Sequence, residues 1–235
     1  MSDSVVTATG QLATTAEDRT AQAATSGEEA LRRRLLAVLL PDVPAGKMSY
    51  EDFLAWADED ALAEWVNGEI VMTSPASKRH QDLSGFLESI LRVFVEVHQL
   101  GAVFSGPFQM KLEHGREPDV LFVAREHLDR LKQTYLDGPA DLVIEIISPE
   151  SAGRDRGDKF YEYEAGGVPE YWLLDPQRRT VEFYCLEDEQ YHLAFSGAAG
   201  EYYSKSVPGF WLRVEWLWQE PLPPVLEILR ELAVI

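Results

Sequence analysis

Two carboxylates of this sequence lie in or directly beside apolar runs, where no charge is expected. Asp119 directly precedes Val120–Ala124, and Glu145 lies inside Leu142–Ile147. Runs of this kind, rich in Val, Ile and Leu, predict buried strands. An unpaired carboxylate is costly to bury, and two on neighbouring strands repel each other unless a cation or a proton lies between them. The sequence therefore predicts a compensating partner for Asp119 and Glu145.

The alternation of side chains along a strand suggests what this partner could be. Glu145 and Ile147 are expected on one face of their strand, together with Asp141 and Val143. If the strand of Asp119 lies beside it, the two carboxylates can hold a hard divalent cation, with a backbone carbonyl and waters completing the shell. Such an ion polarises a phosphoryl oxygen and lowers the pKa of a bound water, as phosphodiester hydrolysis requires.

The elements that must position these residues follow from capping, turn and periodicity signals. We expect a helix capped by Ser49, a hairpin at Asn67-Gly68 and a long core helix from about Ser77 to His98. From Ala102 the period changes to two, which predicts a meander leading to the Asp119 strand. Further on, the sequence predicts helices at about 125–131, 154–165 and 224–232, a strand at 170–174 and a hairpin made of 180–184 and 191–195.

Length and composition indicate one globular domain with an extension. The chain has 235 residues, of which 46% are hydrophobic, enough for a sizeable core. Residues 1–46 are expected to be a disordered or partly helical N-terminal extension, because they hold few large apolar side chains outside the Leu31–Leu40 segment. The single Cys185 excludes an internal disulfide. With no secretory signal and no long apolar run, we expect a cytoplasmic protein with no membrane contact.

The net charge of -19 argues against nucleic-acid binding through a broad basic face. It does not exclude a metal-centred site, because a divalent ion brings its own charge to a phosphate. The local clusters Lys78-Arg79-His80 and Arg154-Asp155-Arg156 could add to that charge, or could simply be solvated.

From about Met48 to Trp218 the chain resembles a known group. The residues that carry the resemblance are Pro118-Asp119, Glu145 within its apolar strand, and Gly167–Pro176 after the following helix. They are similar to the Uma-type family of restriction-endonuclease-like proteins, in the PD-(D/E)XK nuclease superfamily. The resemblance implies an α/β, restriction-endonuclease-like fold with a central mixed sheet flanked by helices, occupying residues 47–235.

The resemblance also implies roles for individual residues. Asp119 and Glu145 would bind Mg2+ or Mn2+, and a Lys two residues after the Glu would orient or activate the attacking water. Ile147 occupies that position, and Ile can neither donate a hydrogen bond nor stabilise charge. Members of the superfamily can carry this lysine on the following helix instead, where Lys159 is the natural substitute. The alternative is a surface lysine paired with Asp155.

Other candidates have weaker signals. Glu69, just after the hairpin turn, would be a third metal ligand or a solvent-facing charge. His80 would contact the substrate phosphate or act as an acid or base, or would belong only to the helix start. Gln109 and Lys111 share one face of their strand and would either line the cleft or form an exposed sheet face, which is the simpler interpretation.

The sequence thus favours a Mg2+- or Mn2+-dependent endonuclease with DNA as its substrate. Two alternatives remain open: a non-catalytic binding or scaffold module that retains the nuclease fold, and a metal-dependent hydrolase of small phosphoesters. We also expect a homodimer, because many members of the superfamily are dimeric and the carboxyl-terminal part is rich in aromatic residues.

Overall fold

The structure, a computed structural model, describes residues 46–57, 63–72, 76–148 and 151–235. The predicted extension therefore lies outside the described residues, apart from Gly46. Residues Lys47–Ile235 group together as one unit of the chain.

The described residues form both helices and strands. The helices are α1 (Tyr50–Trp56), α2 (Lys78–Val97), α3 (Ala152–Arg156), α4 (Asp158–Ala165) and α5 (Val225–Glu231), with 3-10 turns at Arg125–Arg130 and Val214–Trp218. The strands are β1 (Ala63–Val66), β2 (Glu69–Met72), β3 (Gly101–Ser105), β4 (Gln109–Lys111), β5 (Gly115–Arg116), β6 (Val120–Ala124), β7 (Tyr135–Asp137), β8 (Leu142–Ile146), β9 (Glu170–Asp175), β10 (Thr180–Glu187), β11 (Gln190–Gly197), β12 (Glu201–Tyr203) and β13 (Trp211–Arg213).

The central sheet of the described residues has six strands in the order β11-β10-β9-β8-β6-β3. Strands β8 and β9 are parallel and are joined through α3 and α4, while the other neighbours are antiparallel. A second sheet has the order β2-β1-β5-β4-β7, and β12 pairs with β13. The predicted α/β class with a mixed sheet is confirmed.

Helix α2 covers one face of the central sheet. Its predicted apolar stripe is buried, from Leu83 to Val95, and packs on inward residues of β8 such as Ile144 and Ile146. Ser77 caps the helix by accepting the backbone N–H of His80 at 3.2 Å. None of the helices among the described residues is both long and apolar enough to cross a membrane.

The opposite face of the central sheet carries Glu145 and the residues that surround it. Val143 and Ile147 of this face pack with Tyr163 and Tyr171 in a second apolar cluster. The strand alternation predicted for residues 141–147 is therefore confirmed, because Glu145 lies between Val143 and Ile147. The hairpin at Asn67-Gly68 is also confirmed, with φ values of 54° and 84° at its two turn residues.

Two sequence predictions about local structure are wrong. Strand β3 pairs with β6, whereas β4 leaves for the second sheet and runs parallel to β7, so there is no meander here. Alternation identifies a strand but not its partner, which explains the error. The helix expected at 154–165 is broken at Gly157, whose φ of -117° and ψ of -95° are not helical.

Candidate functional site

Asp119 and Glu145 face each other across the antiparallel pair of β6 and β8. The register pairs Val120 with Ile144, so the next position brings Asp119 opposite Glu145, with both side chains on one face. Asp119 Oδ2 accepts the backbone N–H of Ile146 at 2.7 Å, which fixes the carboxylate against β8. Glu145 is buried, and the Asp119 side chain retains 20% exposure. The neighbouring strands expected for these two carboxylates are thus present.

Lys159 reaches this pair from helix α4. Its Nζ lies 2.9 Å from Glu145 Oε1, 3.3 Å from Glu64 Oε1 and 3.6 Å from Asp155 Oδ1. The side chain is only 7% exposed, so the alternative of a surface lysine is wrong, although the contact with Asp155 exists. Ile147, which occupies the usual lysine position, is buried in the apolar cluster below. The helix therefore supplies the ammonium that the strand lacks.

The surroundings of Lys159 and Glu145 shift the pKa of both groups. Burial alone would lower the pKa of the Lys159 ammonium, but Glu145, Glu64 and Asp155 raise it well above its ordinary value. Burial raises the pKa of the Glu145 carboxyl, against the opposing effect of Lys159, and the charges of Asp155 and Asp119 raise it further. The carboxylates gathered around Glu145 therefore favour binding of a positive charge there, either a proton or a cation.

Arg116 forms buried ion pairs next to the site. Arg116 lies 3.2 Å from Glu64 Oε2 through Nη1 and 2.8 Å from Glu162 Oε2 through Nη2. The backbone N–H of Glu117 also approaches Glu64 Oε1, at 3.4 Å. Sequence reasoning missed Glu64 and Arg116, because each belongs to a short strand of the second sheet whose position only the tertiary fold determines.

His80 lies at the edge of the site, at the start of α2. Its Nε2 is 3.1 Å from Asp119 Oδ2, and its side chain is 15% exposed. Burial lowers the pKa of His80, but the hydrogen bond and the charge of Asp119 outweigh it, so the net shift is upward. The helix-start interpretation is confirmed, because the backbone N–H of His80 belongs to the helix cap. The contact of its ring with Asp119 places His80 beside the candidate site, and its role toward a phosphate or as an acid or base stays a prediction.

Glu69 lies on β2 and is half-buried. Glu64 pairs with Val71, and Val71 is two residues after Glu69 on β2, so Glu69 and Glu64 lie on the same face of the sheet. Among the described residues, no three His, Cys, Asp or Glu side chains are gathered as a ready-made metal site. The third-ligand role of Glu69 therefore stays a prediction, and Glu64 is the hairpin acid that contacts Lys159.

Gln109 and Lys111 do not form the expected exposed face. Gln109 is 5% exposed, accepts the hydroxyl of Tyr50 at 2.9 Å and donates to the carbonyl of Ala63 at 3.1 Å. Lys111 is half-buried, with its Nζ 4.6 Å from the centroid of the Trp65 ring. Helix α1 and the hairpin cover this strand, which a strand pattern alone cannot reveal.

The carboxylate oxygens of Asp119 and Glu145 are suitable ligands for a hard divalent cation. Mg2+ typically uses one or two carboxylates together with waters and substrate phosphates, so Asp119 and Glu145 would suffice as protein ligands. Within the described part of the chain, the hydrogen bonds accepted by Asp119 and Glu145 side chains end on Oδ2 and Oε1, respectively. As far as the described residues go, Asp119 Oδ1 and Glu145 Oε2 are therefore the oxygens that would meet an ion.

Known proteins provide an independent comparison. A family model described as "Uma2: Putative restriction endonuclease" matches residues 50–215. The uncharacterized protein slr1290 of Synechocystis sp. is 26% identical over 156 residues, which are 63% of this chain and 80% of that protein.

A crystal structure described as a putative nuclease belonging to DUF820, from Anabaena variabilis, superimposes with a TM-score of 0.63 at 17% identity. The match covers 73% of this chain and 97% of that one, and it supports the nuclease-like fold. Since the family model spans more than half of the chain, including Asp119, Glu145 and Lys159, the protein belongs to the Uma2 family.

Proposed function

We propose that this protein is a Mg2+- or Mn2+-dependent endonuclease that hydrolyses phosphodiester bonds of DNA. The observation that carries the proposal is the convergence of Asp119, Glu145 and Lys159, with Nζ of the lysine 2.9 Å from Glu145 Oε1. Family membership supports a nuclease-type function and a nucleic-acid substrate.

Asp119 and Glu145 would hold the metal ion. When bound, the ion would supply positive charge beside the scissile phosphate and lower the pKa of a water molecule. Asp119 suits this task because the N–H of Ile146 and the ring of His80 both fix Oδ2. A carboxylate oriented in this way loses little freedom when it binds an ion.

Lys159 would orient the attacking water and stabilise negative charge on the phosphate. An ammonium donates hydrogen bonds and accepts none, so it directs an oxygen rather than removing a proton. Glu64 and Asp155 hold the lysine on two further sides, and Arg116 holds Glu64. His80, beside Asp119, would contact the phosphate from the start of α2.

The direct test is cleavage of supercoiled plasmid, linear duplex, single-stranded DNA and RNA with Mg2+ or Mn2+, and with EDTA as a negative control. We expect metal-dependent cleavage that Asp119→Asn and Glu145→Gln abolish. Asp141→Asn is the matched control, because Asp141 is another buried carboxylate at the same strand, bonded to His127 at 2.9 Å and to the N–H of Ala124 at 2.7 Å. Wild-type protein that cleaves none of these substrates, or acid variants that cleave as well as it does, would refute the proposal.

The net charge of -19 favours a second candidate, a hydrolase of small phosphoesters, over an enzyme that must approach a polyanionic duplex. Phosphodiester model compounds assayed beside the nucleic acids distinguish the two, because a small-molecule enzyme would prefer the former. A non-catalytic module would show neither activity.

The homodimer also stays a prediction, which sedimentation velocity tests.

A further inference from the structure

The Glu145 carboxylate receives two hydrogen bonds on the same oxygen. The hydroxyl of Tyr163 donates to Oε1 at 2.8 Å, and Nζ of Lys159 donates to Oε1 at 2.9 Å. Tyr163 lies one helical turn after Lys159 on α4, so one short helix places both donors.

The ring of Tyr163 is fixed by its surroundings. It is completely buried and packs edge-on against the ring of Tyr171, with centroids 5.2 Å apart. It also belongs to the apolar cluster that includes Val168 and Leu173. Close packing of this kind restricts the ring, and its hydroxyl is directed at Glu145.

Two donors on one oxygen define the orientation of a carboxylate. Within the described residues, both bonds that Glu145 accepts end on Oε1, which leaves Oε2 as the oxygen for a metal ion. The two donors differ in one respect that matters for a cation. The ammonium of Lys159 repels a metal ion, whereas the neutral hydroxyl of Tyr163 orients the carboxylate without adding positive charge.

We propose that Tyr163 is a positioning residue that holds the Glu145 carboxylate in its metal-binding orientation. The inference rests on the proposed function, because it assigns Glu145 as a metal ligand. Hydrogen bonds to ligating groups from surrounding residues commonly change metal affinity by about 10- to 100-fold, and this is the size of effect that we expect.

The test compares Tyr163→Phe with Tyr171→Phe. Tyr171 is equally buried, and its hydroxyl donates to the backbone carbonyl of Asp155 at 3.1 Å instead of to a site carboxylate. Mn2+ affinity is measured by calorimetry for wild type and both variants. Tyr163→Phe should bind Mn2+ about 10- to 100-fold more weakly than wild type, and Tyr171→Phe should bind within about threefold.

A second measurement keeps the test valid if Tyr163→Phe is destabilised. The rise in Tm produced by Mn2+ is recorded for each protein relative to its own metal-free Tm, so that a loss of stability cancels. The rise should be smaller for Tyr163→Phe than for Tyr171→Phe. Activity of Tyr163→Phe should recover at high Mn2+, which a general structural defect would not allow.

Each outcome has a distinct meaning. Equal Mn2+ affinities in the two tyrosine variants, with wild type binding through Glu145, would overturn the role of Tyr163 alone. Wild-type protein whose Mn2+ binding does not depend on Glu145 would overturn the proposed function, and the role of Tyr163 with it.

Discussion

Arg116 and Glu64 form an ion pair of 3.2 Å in which both side chains are less than 5% exposed. The same guanidinium contacts Glu162 on α4 at 2.8 Å, so it joins the second sheet to the helix that carries Lys159. Removing one partner of a buried pair leaves the other charged group without compensation, which costs about 3–5 kcal/mol. Arg116→Met should therefore lower the free energy of unfolding in urea by about that amount.

Arg213 provides the matched control for this prediction. It also bridges two glutamates, Glu201 at 3.1 Å and Glu231 at 2.9 Å, but its side chain is 37% exposed. Exposed pairs contribute about 0–1 kcal/mol, and the guanidinium also lies over the rings of Trp211 and Trp216, 5.5 and 5.2 Å from their centroids. Arg213→Met should therefore lower the free energy of unfolding by clearly less than Arg116→Met. Equal losses in the two variants would contradict a structural role for the buried ion pairs.

Lys159→Met should reduce cleavage without removing the metal ligands. The loss of one preorganised donor at a site of developing charge typically lowers kcat by about 10²- to 10³-fold, and we expect a decrease in this range at saturating metal. Lys205→Met is the control, because Lys205 is 62% exposed and pairs only with Glu187 among the contacts described for its ammonium. Unchanged cleavage by Lys159→Met would remove the lysine from the reaction.

Glu64→Gln should impair cleavage more than Glu69→Gln. Glu64 contacts Lys159 at 3.3 Å and Arg116 at 3.2 Å, so the neutral amide weakens two supports of the site. Initial rates of the two variants at several Mg2+ concentrations check the order. If Glu69→Gln is the slower one and is rescued by high Mg2+, Glu69 is the third ligand that the sequence suggested.

Glu170→Gln should reduce stability and leave metal affinity unchanged. The Glu170 carboxylate is fully buried and accepts from Trp172 Nε1, Ser204 Oγ and the backbone N–H groups of Lys205 and Ser206, at 2.7–3.0 Å. The amide that replaces the carboxylate would direct its NH2 group at some of these donors. We therefore expect the free energy of unfolding in urea to fall by about 1.5–3 kcal/mol. A large loss of Mn2+ affinity would place Glu170 in the metal site.

Gly157→Ala should disturb the position of Lys159. A Cβ at residue 157 would lie 2.7 Å from the backbone oxygen of Gly153, too close for the connection between α3 and α4 to stay as it is. We expect slower cleavage with little change in overall secondary structure by circular dichroism. Gly85→Ala is the control, because a Cβ there meets nothing within 4 Å and alanine stabilises a helix by about 0.5–1 kcal/mol.

Local signals in the sequence predicted the elements well. Capping by Ser49, the long helix α2 and the turn at Asn67-Gly68 all depend on residues close together in the chain, and all three are present. The partner of β4 and the surroundings of Arg116 depend on contacts between distant segments, so the sequence pattern could not reveal them.

Buried carboxylates in or beside apolar strands do have compensating partners here, but such carboxylates are not confined to the candidate site. Glu145, Asp141 and Glu170 are all buried carboxylates in or beside apolar strands. The structure compensates Asp141 with His127 and a backbone N–H, Glu170 with several donors, and Glu145 with Lys159 Nζ and the Tyr163 hydroxyl. Glu145 in addition faces a second carboxylate, that of Asp119. A buried carboxylate in a strand therefore indicates that compensation exists, and only the fold shows whether hydrogen-bond donors or a cation supply it.

The separation of Lys159 from the Glu145 strand has a consequence for recognising such proteins. The Ile147 side chain lies in an apolar cluster, so the residues of the candidate site are divided between helix α4, strand β8 and the start of β6. A search pattern confined to one strand passes over this chain. A pattern that pairs an acidic strand residue with a Lys and a Tyr spaced one helical turn apart on the next helix would find it.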